Sequence, residues 1–337
     1  MDATHLLLVD IWFVLLGLML VMYVVLDGFD LGVGIISLFA DSEERRDVMM
    51  ASLGSIWDAN ETWLVVFAGA LFGAFPVAYG ALLHALYIPV TAMLFALIFR
   101  GIAFEFREHA RRKLPWNIAF GLGSLLAALS QGYALGAVIG GLAVRDGAFV
   151  GGVWDWFSPT ATLVAVGVVF GYTLLGTTYL LLKTEGPYQG TCARRARLMA
   201  WLTVLAGIGV SLWTPLRFSY VMARWFDWPN IIYLAPLPAI ALFAFVMLLR
   251  ALNRGYERAP FFWTVAIFLT SFAGLAVSLY PYFIPLHLRL SEGSASSPTL
   301  VFMLAGIGML IPIMLIYNGY QYLVFRGKTR PGQGYSG

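Results

Sequence analysis

Apolar residues fill this chain in long runs, separated by short polar stretches. A helix of about 20 apolar residues, rising ~1.5 Å per residue, matches the ~30 Å hydrocarbon core of a bilayer. Nine such runs occur, at roughly 6–39, 53–75, 79–104, 117–141, 160–182, 198–216, 231–250, 262–285 and 299–325. No β-strand pattern competes with them, and a helix satisfies all its backbone groups within lipid. The pattern predicts an all-α integral membrane protein of nine transmembrane helices, a single domain over residues 1–337. In "AFPVAYG", Pro76 and Gly80 predict a tight hairpin between the second and third spans. The first run is long for one crossing, ~51 Å as a helix, so it tilts or projects beyond the bilayer. The similar stretches "ALFGAFPVAYG" and "VSLYPYFIPLH" suggest a duplication of four-helix units.

Composition agrees: 60% of residues are hydrophobic, 12% are charged and the mean hydropathy is +0.81. A soluble domain would carry about 25% charged residues. No basic region or small-residue cleavage site precedes Asp10, so the first apolar run reads as a retained helix. Cys192 is the sole cysteine, which excludes an internal disulfide and a thiolate-rich metal site. A net charge of +3 gives no footing for nucleic acid.

The placement of the basic residues is more informative than their sum. With nine spans, one side receives Arg45, Arg46, Arg107, Arg111, Arg112, Lys113, Lys183, Arg194, Arg195 and Arg197. Arg250, Arg254, Arg258, Arg326, Lys328 and Arg330 fall on the same side, and only Arg145, Arg217, Arg224 and Arg289 on the other. Positive charge accumulates in the cytoplasm, so the N-terminus is expected outside, in the periplasm, and the C-terminus inside. Trp154, Trp156, Trp213, Trp225 and Trp228 fall near span ends, as interfacial aromatics do.

Against this background the polar residues within the spans stand out. "VVLDGFDLGVGII" puts Asp27 and Asp30 in the first span, "GSIWDANETWLVVF" puts Asp58 and Glu61 in the second, and "LIFRGIAFEF" puts Arg100 in the third. Each buried acid costs roughly 2.5–3.5 kcal/mol on insertion scales. Residues three apart share a helix face, and the three spans bring all five groups into the cytoplasmic leaflet. Arg100 can neutralise one or two carboxylates as a structural ion pair. Four acids against one arginine leave a surplus, and surplus buried carboxyls are the material of proton relays. Gly28 and Gly32 form a small face that admits a close helix neighbour. His5, His84, His109 and His287 all fall near span boundaries and none pairs with another at helical spacing, so no haem ligand or metal site is expected in this chain. A stand-alone proton-coupled transporter would also use buried acids, although no paired mid-membrane interruption of helices is evident.

"LDGFDLGVG", "WDANETWLV" and "ALFGAFPVAYGALL", in that order and spacing, resemble subunit II of the cytochrome bd-type quinol oxidases. The likeness extends to Arg100 in "LIFRGIAFEFR" and to "GTTYLLLKTEG", and covers most of the chain. The short length and compact external loops resemble the branch that includes the cyanide-insensitive oxidases. The resemblance implies a subunit of a terminal oxidase in the bacterial cytoplasmic (inner) membrane, reducing dioxygen to water with ubiquinol or menaquinol. It implies a heterodimer with subunit I, which carries two b-type haems, usually a d-type haem, and the quinol-oxidation site. Subunit II of such oxidases lacks haem ligands, and in some members it holds a structural quinone or lipid. Very small accessory subunits attach in some complexes. On the matching positions, Asp30 and Asp58 become relay carboxyls for cytoplasmic protons and Asp27 an accessory acid. Trp57, Asn60 and Arg100 hold the site's geometry. Glu61 joins the pathway as a local addition, since some relatives have no acid there.

Overall fold

A 35-residue helix, α1 (Ala3–Ser37), forms the axis of the bundle. The structure is a computed structural model that describes residues 2–54 and 56–329. After α1 come α2 (Glu43–Ala51), α3 (Trp57–Ala74), α4 (Pro76–Ala85), α5 (Tyr87–His109) and α6 (Leu114–Gly140). A small hairpin of β1 (Val144–Arg145) and β2 (Ala148–Phe149) precedes α7 (Pro159–Lys183) and α8 (Gly186–Arg217). Then follow α9 (Ser219–Phe226), α10 (Asn230–Leu234), α11 (Pro236–Asn253) and α12 (Ala259–Leu279). A second hairpin, β3 (Tyr282–Ile284) with β4 (Leu288–Arg289), leads through α13 (Leu290–Gly293) to α14 (Ser297–Val324).

Helices α5, α6, α7 and α8 pack as successive neighbours, and α1 lies against α3, α6, α7, α12 and α14. Every residue of α1 from Asp27 to Ser37 is buried. The glycines explain how it fits. A Cβ at Gly32 would overlap the backbone carbonyl of Tyr172, and one at Gly176 would overlap the backbone at Gly32. Without side chains at both positions, α1 and α7 touch backbone to backbone.

Among the described residues, eight helical segments are long and apolar enough to cross a membrane: α1, α5, α6, α7, α8, α10 with α11, α12 and α14. The second predicted span, α3, falls outside this group. It has 18 residues, ~27 Å, and its first five include Asp58, Asn60 and Glu61.

Several boundaries differ from the sequence expectation. The turn between α3 and α4 is the single residue Phe75, Pro76 opens α4, and Gly80 lies within that helix. Helical structure resumes after a break at Leu86, with Pro89 in the first turn of α5, where its missing N–H is tolerated. A similar break at Ala235 precedes Pro236. The sixth span lies within α8, which begins at Gly186. The eighth span ends at Leu279, because Pro281 and Pro285 block further helix and leave the β3–β4 hairpin. Thus "VSLYPYFIPLH" folds as a helix end and a strand, whereas "ALFGAFPVAYG" joins two helices, so the two similar stretches adopt different local structures.

Hydrogen bonds tie the connections into two ends. At one end Arg195 reaches the Phe39 carbonyl at 3.0 Å, Arg197 the Leu252 carbonyl at 3.0 Å, and Lys328 both the Thr184 carbonyl and Glu257. At the other end Tyr220 reaches the Ile139 carbonyl at 2.8 Å, Ala295 N–H the Ala74 carbonyl at 2.8 Å, and His5 bonds Ser294 and Ser297. The loops of the first end are those that carry most of the lysines and arginines; Arg330 lies outside the described residues.

Candidate functional site

Helix α5 presents Arg100, Ala103, Phe104 and Arg107 on one buried face, at the spacing of successive helical turns. Arg100 is 2% exposed and points at α1. Its Nη1 donates to Asp27 Oδ1 at 2.6 Å, and its Nη2 lies 2.7 Å from Glu61 Oε1. The first contact is a well-formed charge-assisted hydrogen bond. The second is close but misaligned, so it is a contact of charges only, and Glu61 is held less firmly.

Asp30, one turn beyond Asp27 on α1, is also buried. Asn60 Nδ2 donates to its Oδ2 at 2.8 Å, and Tyr322 on α14 donates to Asn60 Oδ1 at 2.9 Å. Asn60 therefore links α14 to α1 through α3. Asp27 Oδ2 and Asp30 Oδ1 are buried with no hydrogen-bond partner at ordinary geometry among the described residues. Trp57 is half-buried, its ring 5.4 Å from that of Phe104 and beside Gly101, and it fixes the start of α3 against α5.

Of the seven predicted site residues, the structure brings Asp27, Asp30, Glu61, Asn60 and Arg100 into one cluster, with Trp57 at its edge. Asp58 stands apart: it is exposed at the start of α3, where Thr62 Oγ1 donates to its main-chain carbonyl at 3.0 Å. The carboxyls thus grade from exposed Asp58, through Glu61 with a side chain 26% exposed, to buried Asp27 and Asp30.

Sequence reasoning missed two extensions. Tyr23, four residues before Asp27 on α1, accepts a hydrogen bond from Gln131 Nε2 at 2.8 Å, and Tyr172 donates to Gln131 Oε1 at 2.6 Å. The helical spacing from Asp27 signals Tyr23, but nothing local pairs Gln131 with two tyrosines on other helices. The second is Arg107, assigned from sequence to a cytoplasmic loop and found fully buried. Its guanidinium donates to Asn117 Oδ1 at 2.5 Å, Asp47 Oδ1 at 2.6 Å and Glu43 Oε2 at 2.9 Å. Lys113 adds a 3.2 Å contact to Asp47, and Arg46 a 2.8 Å contact to Glu43. This clamp fixes the polar helix α2 beneath the bundle. Desolvation pushes the Glu43 carboxyl up, but the Asn117 hydrogen bond and the charges of Arg107 and Arg46 outweigh it and leave Glu43 below the usual glutamate range. The seven-residue step from Arg100 to Arg107 was the available signal.

The histidines do not stand where axial haem ligands would. His5 is engaged by serines at one end, His84 lies against Phe149 at the same end, and His109 and His287 are exposed beyond the helix bodies. None is presented to the interior between helices, where an axial ligand would stand.

A family model described as cytochrome bd terminal oxidase subunit II matches residues 8–325. The cytochrome bd ubiquinol oxidase subunit 2 of Bacillus subtilis is 29% identical over 331 residues, covering 95% of this chain and 96% of the relative. The cytochrome bd-I ubiquinol oxidase subunit 2 of Escherichia coli K12 is 26% identical over 361 aligned residues, covering 94% of each. In fold, the bd oxidase from Geobacillus thermodenitrificans superposes with a TM-score of 0.74 at 21% identity, covering 92% of this chain and 97% of that one.

Proposed function

The chain belongs to the cytochrome bd terminal oxidase subunit II family, and on that premise we propose that it is the haem-free subunit that supplies cytoplasmic protons for dioxygen reduction. It is part of a quinol oxidase complex and a multi-pass membrane protein. In this reading α3 is the ninth crossing, its polar first turns lying against protein, and the basic end of the bundle faces the cytoplasm of a bacterial inner membrane. Subunit I is the partner and holds the haems and the quinol-oxidation site.

The observation that carries the reading is the graded set of carboxyls around one guanidinium. Asp58 takes up protons at the mouth, Glu61 passes them inward, and Asp27 and Asp30 hold them beside Arg100. Asp27 and Glu61 contact that guanidinium and Asp30 lies one turn from Asp27, so an electrically neutral cluster of three acids and one arginine stores two protons. A charge such as Asp58 is costly against lipid, which supports a partner covering this face of α3. A transporter working alone has no support from the family match, and the cluster lies toward one end of the bundle rather than at its midplane.

The test is oxygen consumption by the purified complex carrying Asp58→Asn or Asp30→Asn. Each change is expected to slow turnover roughly ten-fold or more while the complex stays assembled with its full haem spectrum. Wild-type turnover in either variant would remove that carboxyl from the path.

A further inference from the structure

Asn60 is wholly buried and meets three groups at once. Its Oδ1 accepts from the Tyr322 hydroxyl at 2.9 Å. Its Nδ2 donates to Asp30 Oδ2 at 2.8 Å and, in a longer contact of 3.5 Å, to the main-chain carbonyl of Leu26. That carbonyl is an acceptor only, and so is an ionised Asp30. A carboxamide turned over would set its oxygen against both, so the chemistry of the neighbours fixes which end of Asn60 faces α1. On the remaining side Tyr322 supplies the donor that the carboxamide oxygen needs. Phe29 packs edge-on against the Tyr322 ring, with centroids 6.5 Å apart, and holds the phenol beside Asn60.

This orientation makes the two oxygens of Asp30 unequal. Oδ2 faces an N–H, so a hydrogen on Oδ2 would stand against another hydrogen. We propose that Tyr322 is a positioning residue of the relay: by locking the Asn60 carboxamide, it makes Asp30 take up and release its proton at Oδ1. The proposal rests on the reading of Asp30 as a relay carboxyl. Without the Tyr322 hydroxyl the carboxamide oxygen loses its donor. It regains one by turning over toward an Asp30 protonated on Oδ2, and the acid then gives its hydrogen to Asn60 instead of passing it on. Tyr322 acts through Asn60, and its hydroxyl keeps one side of Asp30 for exchange.

The experiment pairs infrared difference spectra of the intact complex, oxidised minus reduced, with its oxygen consumption. The C=O band of protonated Asp30 is the one that Asp30→Asn removes. In the wild type that C=O is Oδ2, which accepts from Asn60, and a hydrogen-bonded C=O absorbs at lower frequency than a free one. Tyr322→Phe is expected to shift the band to higher frequency. It is also expected to slow oxygen consumption about three- to ten-fold, the worth of one hydrogen bond, with the KM for quinol unchanged. Asn60→Leu removes the donor outright and is expected to shift the band the same way, which serves if the phenylalanine variant does not assemble. An unmoved band in either variant, or wild-type turnover in Tyr322→Phe, overturns the proposal. A wild-type spectrum with no band that Asp30→Asn removes takes Asp30 out of the relay, and the reading beneath the proposal falls with it.

Discussion

Arg100 is the residue on which the interior polar cluster depends. It is buried on α5 and meets an acid from α1 and another from α3. Arg100→Ala leaves the carboxylate of Asp27 with no counter-charge in a place where water cannot replace it. Breaking a buried pair in this one-sided way costs about 3–5 kcal/mol. The expected outcome is a poor yield of assembled complex and a lower melting temperature, read by size-exclusion chromatography and a thermal shift. Arg100→Lys keeps the charge but loses the fork that reaches two partners at once, so it should fall between wild type and alanine. A normal melting temperature in the alanine variant would contradict the pairing.

At the scale of elements, the cluster exists because α1 can approach α7 without side chains in the way. Gly32 and Gly176 face each other, and a methyl group at either meets backbone, which has no alternative rotamer to adopt. Gly32→Ala is therefore expected to force the helices apart, with an overpacking cost of about 1–3 kcal/mol. Asp27 and Asp30 ride on the same segment, so oxygen consumption should fall together with stability. Gly17→Ala is the matched control, since its added carbon would meet Phe272 at an ordinary 3.7 Å. Equal melting temperatures for the two variants would show that the α1–α7 contact tolerates a methyl group. Proline governs the other elements in much the same local way, opening α4 and α11 and ending the helical course before β3.

The whole molecule has two chemically distinct ends, and the basic one is held together by acids outside the membrane-spanning helices. Glu43 and Asp47 on α2 bind Arg107 of α5, and Glu43 also accepts from Asn117 of α6. The folded Glu43 carboxyl titrates below the ordinary glutamate value. Its contribution to stability is thus fully present above about pH 4.5 and is lost as pH falls through its lower folded value. Thermal unfolding of the purified complex should show a loss of stability on acidification across that window, and Glu43→Gln should flatten that part of the profile. The side chain is half in solvent, so the effect is modest and weakens with salt. An unchanged acid limb in the variant would mean that α2 is held by Arg107 through Asp47 alone.

The sequence by itself determined that this is a helical membrane protein, because runs of apolar residues long enough to cross lipid have few other ways to satisfy their backbones. It also determined the identity of the polar cluster, because acids and an arginine are costly in such runs and stand out against them. Asp27, Asp30, Glu61 and Arg100 were legible for that reason, and Asn60 only through the family resemblance. What only the tertiary structure decided is who meets whom. The sequence offered Arg100 four acids, and the fold gave it Asp27 and Glu61, set Asp30 on Asn60 and left Asp58 at the surface. Arg107 looked like one of many loop charges until α2 and α6 enclosed it. The partners in these contacts lie tens of residues apart in sequence, and helix crossing angles and glycine contacts, which no local pattern encodes, bring them together.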